Sequence, residues 1–352
     1  MPAAPSRLDE FMGKMLGDMG AAFSAALILM GDRLGLYKAL AKGGALTPAE
    51  LAQRTGTTER PVREWLAAQA AGGYVSYDAK SGRYSMNEEQ KLTLGDDDSP
   101  ACMLGAFEVI ASAFLDNAKV AESFKSGKGL GWHEHDACLF RGTERFFRPG
   151  YAMNLVPSWL PALTGVVERL QKGARVADVG CGHGASSIVM AKAFPKSSFT
   201  GFDYHAPSIE RARQAAAAAG VSANTRFEVG DSRRFPGKDW DLVAFFDCLH
   251  DMGDPAGAAR HVRQALAADG TWLIVEPFAG DSTEANFNPV GRVFYSASTM
   301  ICVPASLNQE GQAALGAQAG EKKLREVVTG AGFSRFRRAA ETPFNLVLEA
   351  RP

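Results

Sequence analysis

From Gly173 onward the chain alternates between two patterns. Five short apolar runs, ARVADVG, SSFTGFD, TRFEVGD, DLVAFFD and TWLIVEP, are separated by stretches of helical periodicity, ASSIVMAKAF, PSIERARQAAAAAG and GAARHVRQALAADG. Parallel strands need a crossover between them, and strands buried on both faces read as near-continuous apolar runs. The alternation therefore predicts an α/β domain over residues 173–352, with a parallel sheet covered on both faces. The tail GFSRFRRAAETPFNLVLEARP predicts two more strands joined by a short turn. The expectation is a mostly parallel seven-stranded sheet with an antiparallel last strand.

Two regions precede this domain. Residues 1–100 read as a helical and winged-helix-like domain. Within them AAFSAALILMGDRLGLYKAL is apolar on most faces and needs burial, in this chain or in a partner subunit. Thr47-Pro48-Ala49-Glu50 is a capping box with proline at the first helical position. A turn at Thr55-Gly56-Thr57 leads into a second helix through Trp65, and YVSYDAKSGRYSM reads as a hairpin. Helix, turn, helix, hairpin is the order of a winged helix. From Gly44 to Gly95 six Lys/Arg face six Asp/Glu. That balance lacks the basic footprint that phosphate contacts demand, so nucleic acid is not the expected partner, and a homodimer through the N-terminal helices is. Residues 101–172 read as a helical linker and active-site lid, with a polar break at SGKGLGWHEHDACLFRGTERFFRPG.

Composition narrows the setting. The net charge of −1 gives no general pull toward nucleic acid or anionic membrane. MPAAPSRLDE lacks the basic-then-apolar pattern of a signal peptide, and Ala21 to Met30 is too short an apolar run to span a bilayer. Five cysteines with no CxxC spacing argue against a disulfide framework or a cysteine zinc site and lead to a cytoplasmic expectation. His133 and His135 in WHEHD offer two imidazoles only, so no metal is expected.

Ligands of open α/β sheets bind beyond the carboxyl ends of the strands. The first strand ends in Asp178-Val179-Gly180-Cys181-Gly182-His183-Gly184, whose glycines permit a tight turn and close backbone approach. The second ends in Asp203, suited to a ribose, and the third in Asp231-Ser232. The fourth runs into FFDCLHDMGDP, with Asp247, His250 and Asp251 close together. Gly180 to Ala185 also satisfies the dinucleotide pattern GxGxxG/A. Asp178 inside the strand, Asp231 after the third strand and the terminal strand pair favour a different nucleoside cofactor.

VADVGCGHG, FDYH, EVGDS and the terminal pair together resemble the class I S-adenosylmethionine-dependent methyltransferases, over about residues 150–352. With the winged-helix-like module and LHDMGDP added, the layout is similar to the caffeate-type small-molecule O-methyltransferases. In closer detail the chain resembles actinobacterial winged-helix methyltransferase-like proteins. The resemblance implies a Rossmann-like methyltransferase domain and S-adenosyl-L-methionine as cofactor. It implies that Asp178, Gly180 and Gly182 contact the methionine part, and that Asp203 holds the ribose. Tyr204 would flank the adenine, with Asp231 and Ser232 at its polar edge. Asp247 would lie beside the cofactor's amino group, and Tyr151 and Asn154 would reach in from the preceding helix.

The same resemblance makes His250 the general base for an acceptor hydroxyl, with Asp251 beside it and Glu276 placed to bond it. Imidazole titrates near working pH, which suits that role. Asp251 and Asp254 are also expected to cap the helix beginning at Pro255. Where the group carries a further glutamate, this chain has Gln318. Asn288 to Ser306 is a candidate acceptor pocket, and Trp132 and His135 are candidates to lie near the acceptor. Two other readings stay open: an S- or N-methyltransferase on the same fold, and a cofactor-sensing regulator without catalysis.

Overall fold

The structure is a computed structural model that describes residues 6–352. It divides into two compact units. One comprises residues up to 112 with 137–149, and the other residues 113–136 with 150–352.

The first unit is helical with a small wing. Arg7–Arg33 is one helix of 27 residues, opened by a capping box between Ser6 and Asp9. The apolar run Ala21 to Met30 is thus part of a longer element. The helix continues through Gly13, Gly17 and Gly20, and by length and composition it is long and apolar enough to cross a membrane. Leu8, Phe11, Met12, Leu16, Met19 and Phe23 on it are all exposed. Its C-terminal part is anchored: Ile28 joins a core with Tyr37, Leu40, Leu51, Trp65 and Leu66. The Trp65 indole donates to the Leu27 carbonyl at 2.9 Å.

Pro48–Thr55 and Glu59–Ala71 form the helix pair, and Ser76–Asp78 and Arg83–Ser85 the wing. The Thr47–Glu50 capping box forms as expected, and Glu50 also takes Arg83 from the wing at 2.7 Å. One carboxylate therefore fixes both the helix start and the hairpin. Arg145 gathers Asp32, Asp97 and Glu108 around a largely buried guanidinium.

The second unit is built on seven strands: β1 Arg175–Val179, β2 Ser198–Asp203, β3 Thr225–Val229, β4 Trp240–Phe246, β5 Leu266–Pro277, β6 Arg335–Glu341 and β7 Asn345–Arg351. Their order in the sheet is β3-β2-β1-β4-β5-β7-β6. The first five are parallel, while β7 runs antiparallel to both β5 and β6. The chain reverses direction across the sheet between β1 and β4. That switch point opens a crevice beyond the strand ends, where ligands of such sheets bind.

The central strands are buried on both faces, which explains their unbroken apolar sequence. Val243, Phe245, Trp272, Ile274 and Leu348 share one core with Leu249 and Val262. Strand β5 begins earlier than TWLIVEP suggests. The preceding helix stops at Ala265, and Leu266 pairs with Trp240 across an irregularity in the ladder. Burial of Leu266 and the ion pair of Asp269 with Arg169 hold that extension.

Candidate active site

The turn after β1 is held by backbone bonds from Gly180 and Cys181 to the Phe202 carbonyl, at 2.8 and 3.1 Å. Gly180, Gly182 and Gly184 all adopt positive φ (76°, 51° and 80°). Their surroundings differ. A Cβ on Gly180 would strike the Cys248 sulfur, and one on Gly184 would strike the Phe227 ring. A Cβ on Gly182 would meet open space, so this is the glycine whose bare backbone faces room for a ligand.

Asp178 is buried beneath this turn. One of its oxygens accepts from Ser186 and Ser187, each at 2.6 Å, and the other is buried with no partner. Burial is the main cause of its pKa rising to about 6, with the serine bonds opposing. Asp203 accepts the Gly182 N–H at 3.0 Å and the His205 N–H at 2.9 Å, which ties the end of β2 to the glycine turn. Burial raises its pKa as well.

Beyond β4 the chain turns through Asp247, which sits in the left-handed region at φ 51°. Its carboxylate accepts from Tyr151 at 3.2 Å and from Asn345 at 3.0 Å. Burial, with Glu276 nearby, raises its pKa to about 8. Three residues later His250 lies in a short turn spanning Leu249–Asp251. Its Nδ1 is 2.6 Å from Glu276 Oε2, while Glu276 Oε1 accepts the Leu249 N–H at 2.8 Å. Both glutamate oxygens are thus used to fix this turn and its ring. An ionised carboxylate only accepts, so Nδ1 carries the proton and Nε2 is the basic nitrogen.

Burial works to lower the His250 pKa. The Glu276 charge and a hydrogen bond with the Cys302 thiol outweigh it, leaving His250 well above the ordinary histidine value. Cys302 ends the turn Ser298–Cys302, so the segment read as a candidate acceptor pocket reaches the imidazole directly.

Asp251 departs from its expected capping role. Asp254 alone caps the next helix, accepting the Gly257 N–H at 2.7 Å. Asp251 accepts the Trp132 indole at 2.7 Å instead. Burial raises its pKa to about 6. The segment carrying Trp132 is fastened further by the Leu130 N–H to the Pro304 carbonyl, at 2.9 Å, and its backbone at Trp132 bonds Tyr204. His135 does not reach His250's partners. It is buried against Asp116 at 3.0 Å.

The structure does not bring every named residue to the cluster with its polar group available. Asn154 spends its amide on the Gly150 carbonyl of its own helix, at 2.9 Å. Asp231 is paired with Arg233 at 2.9 Å, and Ser232 follows it on a partly buried turn. Tyr204 is 48% exposed, with the His133 ring edge-on to it. Gln318 bonds the Phe278 carbonyl rather than His250. Ser186, Ser187, Asn345 and Cys302 escaped the sequence reading. The two serines carried a signal, since polar residues in the first turn of a helix follow the glycine turn. Asn345 and Cys302 are remote in sequence and carried none.

With this geometry in view, comparison with known proteins is informative. Residues 170–331 match a family described as a methyltransferase domain, and residues 22–95 match one described as an Rv2258c-like winged HTH domain. The chain carries a methyltransferase domain preceded by a winged-helix domain. Acetylserotonin O-methyltransferase of Mus musculus is 29% identical over 184 residues, 50% of this chain and 43% of that protein. The 27-O-demethylrifamycin SV methyltransferase of Amycolatopsis mediterranei is 32% identical over 123 residues, 33% of this chain and 45% of that protein. The chain thus matches less than half the length of these two curated relatives.

Among solved structures, human N-acetylserotonin methyltransferase in complex with SAM superposes with a TM-score of 0.73 at 16% identity, covering 100% of this chain and 99% of that one. An O-methyltransferase family protein from Burkholderia thailandensis superposes with a TM-score of 0.70 at 18% identity, covering 99% of both chains. Likeness at such identity speaks for the fold alone.

Proposed function

We propose that the protein is an S-adenosylmethionine-dependent methyltransferase that methylates a hydroxyl of a small molecule, with His250 as general base and Glu276 as the group that orients it. The observation that carries this reading is the bond from His250 Nδ1 to Glu276, which commits one nitrogen and makes Nε2, where the Cys302 bond falls, the base. A carboxylate that stabilises imidazolium makes the ring a stronger base, which an alcohol or phenol requires.

The residues around the glycine turn fit the cofactor. A buried, unpartnered Asp178 oxygen and the open face of Gly182 are what a ligand bearing hydrogen-bond donors would complete. Asp178, Gly180 and Gly182 would hold its methionine part, Asp203 its ribose, and Tyr204 and Ser232 its base. Asp247 and Tyr151 would lie on the amino side. Asp231 and Asn154 would take part only by exchanging the bonds they already make. When bound, the cofactor supplies a methyl group already activated on a sulfonium. The protein's own work is then to orient the acceptor, exclude water and accept its proton at His250 Nε2.

The helix Arg7–Arg33 supports a homodimer, because its exposed apolar residues recur at three- and four-residue spacing. Five free cysteines, four of them buried, support a cytoplasmic location. DNA reading is not part of this proposal, since Arg60 and Arg63 are each paired within their own helix, to Glu64 and Glu59.

The test is transfer of labelled methyl to a panel of phenols, aliphatic alcohols, thiols and amines. The reading expects an O-methylated product and a loss of about 10²–10⁴-fold in kcat for His250→Ala. A thioether or amine product formed equally well by that variant would replace it with the S- or N-methyl alternative.

A further inference from the structure

The aspartates at the strand ends differ from two other buried acids of this unit. Asp116 is paired with Lys119 and Glu349 with Arg337. Asp178, Asp203, Asp247 and Asp251 have no Lys or Arg ion pair among the described residues. The cluster is continuous: Tyr151 bonds Asp247 and also lies within electrostatic reach of Asp178. Asp247 is faced by Tyr151 from the helix Ala137–Asn154, by Asn345 from β7, by Glu276 from β5 and by His250 from the following turn. The single cation in that set, His250, is bonded to Glu276 rather than to Asp247.

We propose that cofactor loading is proton-coupled: a cationic ligand seated among these carboxylates displaces a proton that Asp247 holds in the protein alone. The inference rests on the cofactor reading above. Four nearby acids with no Lys or Arg partner, beside one histidine already bonded to Glu276, ionise together only at high cost, so one stays protonated until positive charge arrives. Asp247 is the best placed to hold that proton. It faces Glu276, a neighbour of its own sign, and its two hydrogen-bond donors are both neutral. Its left-handed backbone keeps the carboxylate in this position at a cost that ordinary turn residues avoid. A pKa raised to about 8 by burial agrees with this.

Linkage sets the sign. The free protein binds more protons than the complex, so affinity for the cationic cofactor rises with pH until Asp247 ionises unaided. Release of one proton corresponds to about a tenfold gain in affinity per pH unit. The window is about pH 6 to 7.5, because the ligand's own α-amino group begins to lose its proton near 8.

The experiment is calorimetric titration of the full chain with S-adenosylmethionine at pH 7, in phosphate and in Tris, whose ionisation enthalpies differ. The difference in apparent enthalpy counts protons. Release of most of one proton is expected from the wild type, and none from Asp247→Asn. Binding without proton release, or unchanged release in Asp247→Asn, overturns the proposal while the cofactor reading stands. If Asp247→Asn does not fold, wild-type affinity between pH 6 and 7 decides: a rise of about tenfold supports the coupling and a flat profile ends it. Absence of binding altogether removes the cofactor reading and this inference with it.

Discussion

In the proposed reaction His250 is the residue on which the chemistry turns, and its environment makes a quantitative demand. Glu276 stabilises the imidazolium, so the resting ring holds its proton to a higher pH than a histidine in water. Only the neutral ring can accept a proton from the acceptor. Activity should therefore rise with pH above the ordinary histidine value, near 6.5. Replacing Glu276 with Gln removes the charge but keeps a hydrogen-bonding group. The rising limb of the pH–rate profile should then move to lower pH, while kcat falls as the ring loses its fixed tautomer and orientation. A profile that stays in place would mean that Glu276 does not govern the base.

At this scale the sequence was informative about position: it put Asp178, Asp203 and His250 at or just beyond strand ends, where the structure has them. It was silent about Asn345, whose contact with Asp247 depends on the antiparallel return of β7 beside β5. It misassigned Asp251 as a cap beside Asp254, yet Asp254 satisfies that helix and Asp251 accepts from Trp132.

Among the elements, the segment from Leu130 to Glu134 acts as a strap. It is pinned to the Pro304 carbonyl at one point and to Asp251 at another. Trp132→Phe keeps an aromatic ring, though a smaller one, removes the donor and leaves a buried carboxylate short of a partner. Loss of such a bond costs about 1–3 kcal/mol locally. The account predicts that this variant raises KM for the acceptor more than it lowers thermal stability, measured by initial rates and by unfolding temperature. An unchanged KM would show that the strap does not border the acceptor.

The five parallel strands were legible because burial on both faces writes them as continuous apolar runs. The first residues of β5 were not, since ALAADG has helical composition and becomes extended only by pairing Leu266 with Trp240. Likewise the turn Ser298–Cys302 brings a thiol to His250 through a helical irregularity that no spacing rule anticipates.

For the whole molecule, the long N-terminal helix poses the largest energetic question. Leu8, Phe11, Leu16 and Phe23 are each more than half exposed. Each such side chain gains about 1.5–3 kcal/mol on full burial. The paired-helix account predicts a dimer by sedimentation equilibrium. It further predicts that Leu16→Glu with Phe23→Glu gives a monomer whose winged-helix core stays folded, because that core begins near Ile28. A wild-type monomer would leave the helix unexplained and would favour a membrane or another partner. That this segment is an apolar helix was legible in its composition and spacing; which of its faces the chain's own core covers was not.

The central claim is that the glycine turn and the strand-end acids hold S-adenosylmethionine. The most direct measurement is calorimetric titration of the purified protein with S-adenosylmethionine, with its demethylated product and with NAD, in parallel with Asp203→Ala. The account predicts micromolar binding of the first two, none of NAD, and loss of binding in the variant. Equal binding by Asp203→Ala, or binding of NAD alone, would contradict it.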